Sequence, residues 1–257
     1  MGRHQVRVCV VGGTGLVGRQ TVQALRRAGH DAVVVARSVG VDVITGEGLA
    51  DALAGADAVI DVTNTTATDA EGTREFFGTV SRRLMEAEQD AGVGHHVVLS
   101  IVGVDRVPSN AHYAGKCEQE RVALAGPVPT TVVRATQFFS FAAMVAGWTR
   151  QGDVVTVPPL LVQPVAVSDV ADVLVEVATG APHDGTIELA GPHTEDLVDM
   201  ARRTFGARGE SLRLVPTWQG PFGVAMAGEV LLPGPDARIA PTTFETWLAT
   251  QSQPAQG

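Results

Sequence analysis

Short runs of branched apolar residues alternate, through the first half of the chain, with longer stretches in which apolar residues recur every three or four positions. The short runs are Val6 to Val11, Asp31 to Ala36, Val41 to Ile44, Ala58 to Val62, His96 to Leu99 and Thr130 to Arg134, and they predict strands. Continuous apolar character suits strands covered on both faces of a parallel sheet. The longer stretches predict helices over Leu16 to Ala28, Glu47 to Ala54, Glu71 to Ala91, and from Asn110 towards Gly126. Arg26, Arg27 and Gly29 close the first of these helices, and Gly92 closes the third. Strand and helix in alternation predict an α/β fold built on a doubly wound parallel sheet.

The pattern then changes. A helix is expected over Gln137 to Trp148, and short strands over Asp153 to Val157 and Leu161 to Val167. A helix over Asp169 to Thr179 has Ser168 as its expected cap, and one over Thr194 to Phe205 has Thr194. Between these helices, Gly185 to Ala190 reads as a strand. Beyond Gly206, prolines punctuate short segments before a last amphipathic helix over Thr242 to Ala249 and a tail expected to fray. The expected organisation is a main domain over residues 1–150 with a smaller portion, 151–257, packed on it. Phe138, Phe139, Phe141, Met144 and Trp148 recur at helical spacing and either wall a pocket or fill a core.

The turn after the first strand carries the chemistry. Gly12, Gly15 and Gly18 stand three apart. Gly12 permits the sharp turn, Gly15 lets a pyrophosphate approach the backbone, and Gly18 lets the helix lie close on the strand. Free N–H groups at the helix start, around Thr14, Leu16 and Val17, then face the phosphates. This is a dinucleotide-binding turn, confirmed by the strand before it, the helix after it and the second strand beyond. Arg37 and Ser38 stand at the end of that second strand. An acid there would repel a 2′-phosphate, whereas a guanidinium can hold it bidentately, so NADP(H) is expected over NAD(H). Asp42 and Val43 would border the adenine from the end of the third strand. Thr63 and Asn64 follow the fourth strand and serve either the cofactor or the local turn.

Ser100 ends the fifth expected strand on the same edge as the glycine turn. His112 and Lys116, four apart, share one helix face, with Tyr113 beside them. An ammonium near a phenol or imidazole can hold a ribose and favour deprotonation of a neighbouring acid.

Together these motifs resemble the atypical short-chain dehydrogenase/reductases of the NmrA-like, NAD(P)H-binding group. The supports are the G-x-x-G-x-x-G turn, Arg37, the strand ending at Ser100, the His-Tyr-Ala-Gly-Lys helix start, Arg134-Ala-Thr-Gln-Phe-Phe139 and Pro164-Val-Ala-Val-Ser-Asp-Val-Ala171. The resemblance implies a Rossmann fold with a small carboxyl-terminal substrate-binding portion, in which Gln137, Phe138 and Phe139 face substrate. It also implies Lys116 on the nicotinamide ribose, Ser100 hydrogen-bonded to the substrate oxygen, and Tyr113 or His112 as proton donor. The family's usual Tyr, four before the Lys, is replaced here by His112. Either Tyr113 has taken over that role, or His112 performs it, or the chemistry is absent. The expected function is NADPH-dependent reduction of a small carbonyl, quinone or activated alkene. The alternative is a non-catalytic NADP(H)-binding redox sensor acting through a protein partner.

Composition narrows this further. A net charge of −9 on 257 residues, with Lys and Arg scattered, argues against a nucleic-acid surface. The two cysteines, Cys9 and Cys117, form no disulfide framework, and His95, His96, His183 and His193 show no metal-ligand spacing, so no metal is expected. No leader sequence and no membrane-spanning run is recognised, which makes a cytoplasmic monomer or homodimer with a small-molecule substrate the expectation.

Overall fold

The computed structural model describes residues 5–183, 185–220 and 222–251. The chain runs β1 (Arg7–Val11), α1 (Leu16–Arg27), β2 (Asp31–Val35), α2 (Leu49–Leu53), β3 (Ala58–Asp61), α3 (Ala70–Ala91), β4 (His95–Ile101), α4 (Ala111–Leu124) and β5 (Thr130–Ala135). It continues α5 (Phe141–Thr149), β6 (Val154–Val157), β7 (Leu161–Val162), α6 (Val167–Thr179) and β8 (Gly185–Ala190). Last come β9 (Glu195–Asp196), α7 (Leu197–Ala207), β10 (Arg213–Pro216), β11 (Arg238–Ile239) and α8 (Phe244–Ala249). Seven strands form a parallel central sheet in the order β11-β8-β5-β4-β3-β1-β2, with helices flanking it. The expected doubly wound Rossmann fold is therefore present. β1 pairs in parallel with both β2 and β3, which explains why Val8, Cys9 and Val10 are apolar without alternation: each is buried completely. No helix among the described residues is long and apolar enough to cross a membrane.

The chain divides into two compact units, Met1–Arg134 with Val170–Ile187, and Ala135–Asp169 with Glu188–Gly257. They interleave in sequence, the first passing to the second after Arg134. In the first unit, Cys9, Val11 and Val59 on the sheet pack with Leu53 of α2 and with Val80 and Leu84 of α3. α3 opens on Asp69, whose carboxylate accepts from the Gly72 N–H at 2.8 Å, and ends at Gly92, whose positive φ of 71° is open to glycine. In the second unit β6 pairs in parallel with β10, β7 pairs antiparallel with β9, and Phe139, Phe244 and Trp247 form a ring cluster.

Several expected elements differ. Val41 to Ile44 is not a strand: the Asp42 carbonyl accepts from Gly46 N at 2.8 Å and its carboxylate from Ile44 N at 2.8 Å, folding the run into a turn. Val43 instead drops into the core, so its place beside an adenine loses its strand. Ser168 lies inside α6, which begins at Val167, and is not its cap. Thr194 is displaced as a cap because Glu195–Asp196 first pairs with β7, leaving Asp196 to accept from Asp199 N at 2.9 Å. The helix expected from Gln137 begins at Phe141, because Phe138 bridges Val165 and Val165 N donates to the Gln137 carbonyl at 2.8 Å. The strand expected over Leu161 to Val167 stops at Val162. Of the tail expected to fray, residues from Ser252 onward lie outside the described residues.

Candidate functional site

The turn between β1 and α1 is drawn tight by its own backbone: Gly12 N donates to the Val35 carbonyl at 2.9 Å, and Gly15 N to the Gly12 carbonyl at 2.9 Å. Gly12 has φ +81°, and a Cβ there would meet the Val62 carbonyl oxygen at 2.9 Å. On Gly18 a Cβ would overlap the Gly12 carbonyl, which is why helix and turn can touch only through glycine. Gly15, with Thr14 and Leu16, lies on the exposed lip, where a Cβ would crowd the Gly12 carbonyl oxygen at 3.2 Å. Gly15 is the N-cap and no side chain caps α1, so its first N–H groups remain for an anion. Val17 is buried behind them. This cradle fits a pyrophosphate.

Beyond β2, Arg37–Val39 make a single 3-10 turn. Ser38 Oγ lies 3.4 Å from Thr14 Oγ1, joining the exposed Arg37–Ser38 corner to the glycine turn. Asn64 spends its side-chain oxygen on Thr65 N at 2.9 Å, which is turn chemistry, while Thr63 N donates to Asp61 at 2.9 Å.

The third group stands on β4 and α4. The hydroxyl of Ser100 is buried and has no hydrogen-bond partner among the described residues. Asn110 caps α4 by accepting from Tyr113 N at 3.1 Å, which fixes the helix start that carries His112, Tyr113 and Lys116. Lys116 and Tyr113 are the only lysine and the only tyrosine of the chain. Lys116, 5% exposed, donates to the Leu99 carbonyl at 2.6 Å and to Gln119, and its ammonium lies 4.8 Å from the centre of the Phe77 ring. Burial pushes its pKa down to about 8, against the opposing charges of Asp61 and Glu120. His112 stacks edge-on against the same Phe77 ring, 5.7 Å away, and burial together with Lys116 pushes its pKa down to about 4.

Asp61 and Gln119 were not expected from the sequence. Asp61 is fully buried at the end of an otherwise apolar strand, and an acid in that place is the signal that could have found it. Arg134 forks onto Glu120 at 2.9 and 2.7 Å, accounting for the charge that follows Gln119.

Gln137, Phe138 and Phe139 belong to the second unit. Phe139 is a core ring, 5.6 Å from Phe244 and 5.8 Å from Trp247, and Gln137 is buried. Of the expected apolar stripe, Met144 and Trp148 are exposed, with Trp148 stacked on Phe222 at 6.0 Å.

Residues 8–159 match the sequence profile of the NAD dependent epimerase/dehydratase family. The photosystem II assembly factor Ycf39 of Synechocystis sp. (strain ATCC 27184 / PCC 6803 / Kazusa) is 35% identical over 117 residues, a stretch that spans 40% of this chain and 36% of Ycf39. MoeE5, solved with UDP-glucose and NAD, is 19% identical with a TM-score of 0.73, over 96% of this chain and 97% of its own. UDP-N-acetylglucosamine 4-epimerase from Bacillus cereus is 13% identical with a TM-score of 0.69, over 96% and 98%. These structures share the fold, and the matched profile covers more than half of the sequence: the chain belongs to the NAD dependent epimerase/dehydratase family.

Proposed function

We propose that the protein is an NADPH-dependent reductase of the NmrA-like type, acting on a small carbonyl, quinone or activated alkene. The observation that carries this reading is the uncapped glycine turn joined through Thr14 and Ser38 to an exposed arginine. Membership of an NAD-dependent family supports a nicotinamide cofactor, and Arg37 favours the form bearing a 2′-phosphate. Bound there, a dihydronicotinamide supplies a hydride. The chain then has to supply one proton. His112 is neutral near pH 7 and has no acidic proton to give at that pH, which leaves Tyr113 as donor. The unpaired Ser100 hydroxyl offers the hydrogen bond for a substrate oxygen. In this reading the protein is a cytoplasmic monomer or homodimer.

A second reading has specific support: an imidazole occupies the position of the family's tyrosine, and Ycf39 is described as an assembly factor. In that case the protein would bind NADP(H) without turnover and respond through a protein partner.

Calorimetric titration with NADPH, NADP+, NADH and NAD+ separates the two. The reductase reading expects selective NADPH binding that Arg37→Ala weakens by about tenfold to a hundredfold, the range of a charged hydrogen bond. Preference for NADP+ without discrimination in favour of the reduced form moves the assignment to the sensor. Absence of binding by folded protein removes the cofactor from both.

A further inference from the structure

The single lysine lies at one end of a buried polar chain that the glycine turn does not require. Lys116 Nζ donates to Gln119 Oε1, and Gln119 Nε2 donates to Asp61 Oδ2 at 2.7 Å. Asp61 Oδ1 accepts from Thr63 N at 2.9 Å, and Gln119 Nε2 also lies 3.4 Å from Thr63 Oγ1. The Lys116, Gln119 and Asp61 side chains are each nine-tenths or more buried. An amide between an ammonium and a carboxylate has one favourable orientation, with oxygen towards the cation and nitrogen towards the anion. Gln119 therefore has no freedom to flip, and both ends of the chain are anchored, at Leu99 on β4 and at Thr63 beyond β3.

We infer that Asp61 and Gln119 are positioning residues for Lys116, the amide transmitting the carboxylate of β3 to an ammonium pinned against β4. This rests on the reading of Lys116 as a cofactor-side group and names what holds it there. The groups facing the ammonium are Asp61 from β3, the Leu99 carbonyl from β4, the Phe77 ring from α3, and His112 and Glu120 from its own helix. Glu120 is committed to Arg134, which leaves Asp61 as the carboxylate available to Lys116. A cation on an aromatic ring in a dry site loses its proton readily unless an anion is linked to it.

The test uses the full chain labelled with 15N-lysine, which gives one side-chain amine signal because there is one lysine. Wild type is expected to titrate near the value of about 8. In Asp61→Asn and in Gln119→Met the midpoint should fall by about one unit or more. A midpoint unmoved in a folded variant overturns the relay. Gln119→Met removes no buried charge and nearly conserves volume, so it decides the matter if Asp61→Asn does not fold. NADPH affinity measured against pH on the same samples should weaken as Lys116 deprotonates, and at lower pH in the variants. A midpoint that falls while NADPH affinity ignores pH supports the relay and instead removes Lys116 from the cofactor site.

Discussion

Glu88 on α3 and His96 on β4 face each other at 2.9 Å, and both side chains are buried completely. Burial raises the Glu88 carboxyl, while for His96 the adjoining carboxylate outweighs burial and holds the imidazole protonated above its usual range. Such a pair stabilises little against an apolar replacement, yet removing one partner strands a charge. Glu88→Ala is expected to cost about 3–5 kcal/mol in urea unfolding, and Glu88→Leu combined with His96→Leu to recover most of that loss. A single-variant cost below about 1 kcal/mol would show that the pair is not charged.

His95 behaves in the opposite way. Its Nε2 meets Thr131 Oγ1 at 2.9 Å, and burial, with a smaller contribution from charged His96, pushes its pKa down to about 4. The unfolded chain binds a proton near 6.5 that the folded chain refuses, so stability falls as pH drops from about 6.5 to 4, by up to about 1.4 kcal/mol per pH unit. His112, depressed for similar reasons, adds a loss of the same sign. Urea midpoints measured across this window should decline in wild type and decline less in His95→Gln. Parallel slopes would exclude His95 as the titrating group.

Two helical glycines should respond in opposite directions to alanine. A Cβ on Gly115 of α4 would stand 2.7 Å from Phe77 and 2.8 Å from the Thr73 carbonyl oxygen, where α3 and α4 touch. A Cβ on Gly147 of α5 would meet nothing within 4 Å among the described residues. Gly147→Ala should therefore gain up to about 1 kcal/mol from helix propensity. Gly115→Ala should lose about 1–3 kcal/mol despite the same propensity gain, because the helices must part. Calorimetric melting of both variants checks the contrast, and equal shifts would refute it.

The fold was legible wherever periodicity and glycine agreed. β1, α1 and β2 lie within a residue of where the apolar runs and the glycine triplet put them. Val41 to Ile44 misled because branched residues also fill a core from a turn, and the Asp42 side chain and Gly46 made the turn. Thr194 failed as a cap because pairing with Leu161–Val162, more than thirty residues earlier, took the chain first. At the site, the glycine turn was readable because its requirements are local. The Lys116–Gln119–Asp61 chain was not, since its carboxylate lies 58 residues from its amide and periodicity alone reads a lone polar residue as surface or turn.

Lys116 also makes the chain nearly silent towards amine-directed reagents. Every other basic side chain besides the histidines is arginine, so this buried amine is the one lysine side chain open to acylation. To react, Lys116 must leave the Leu99 carbonyl on β4 and the Phe77 ring on α3, so its exposure reports loosening of α4 against both. Its acylation rate, corrected for the fraction of free amine, becomes a clock for that local opening. Any molecule that binds beside it and holds α4 in place should slow the clock, so binding can be followed before any substrate is identified.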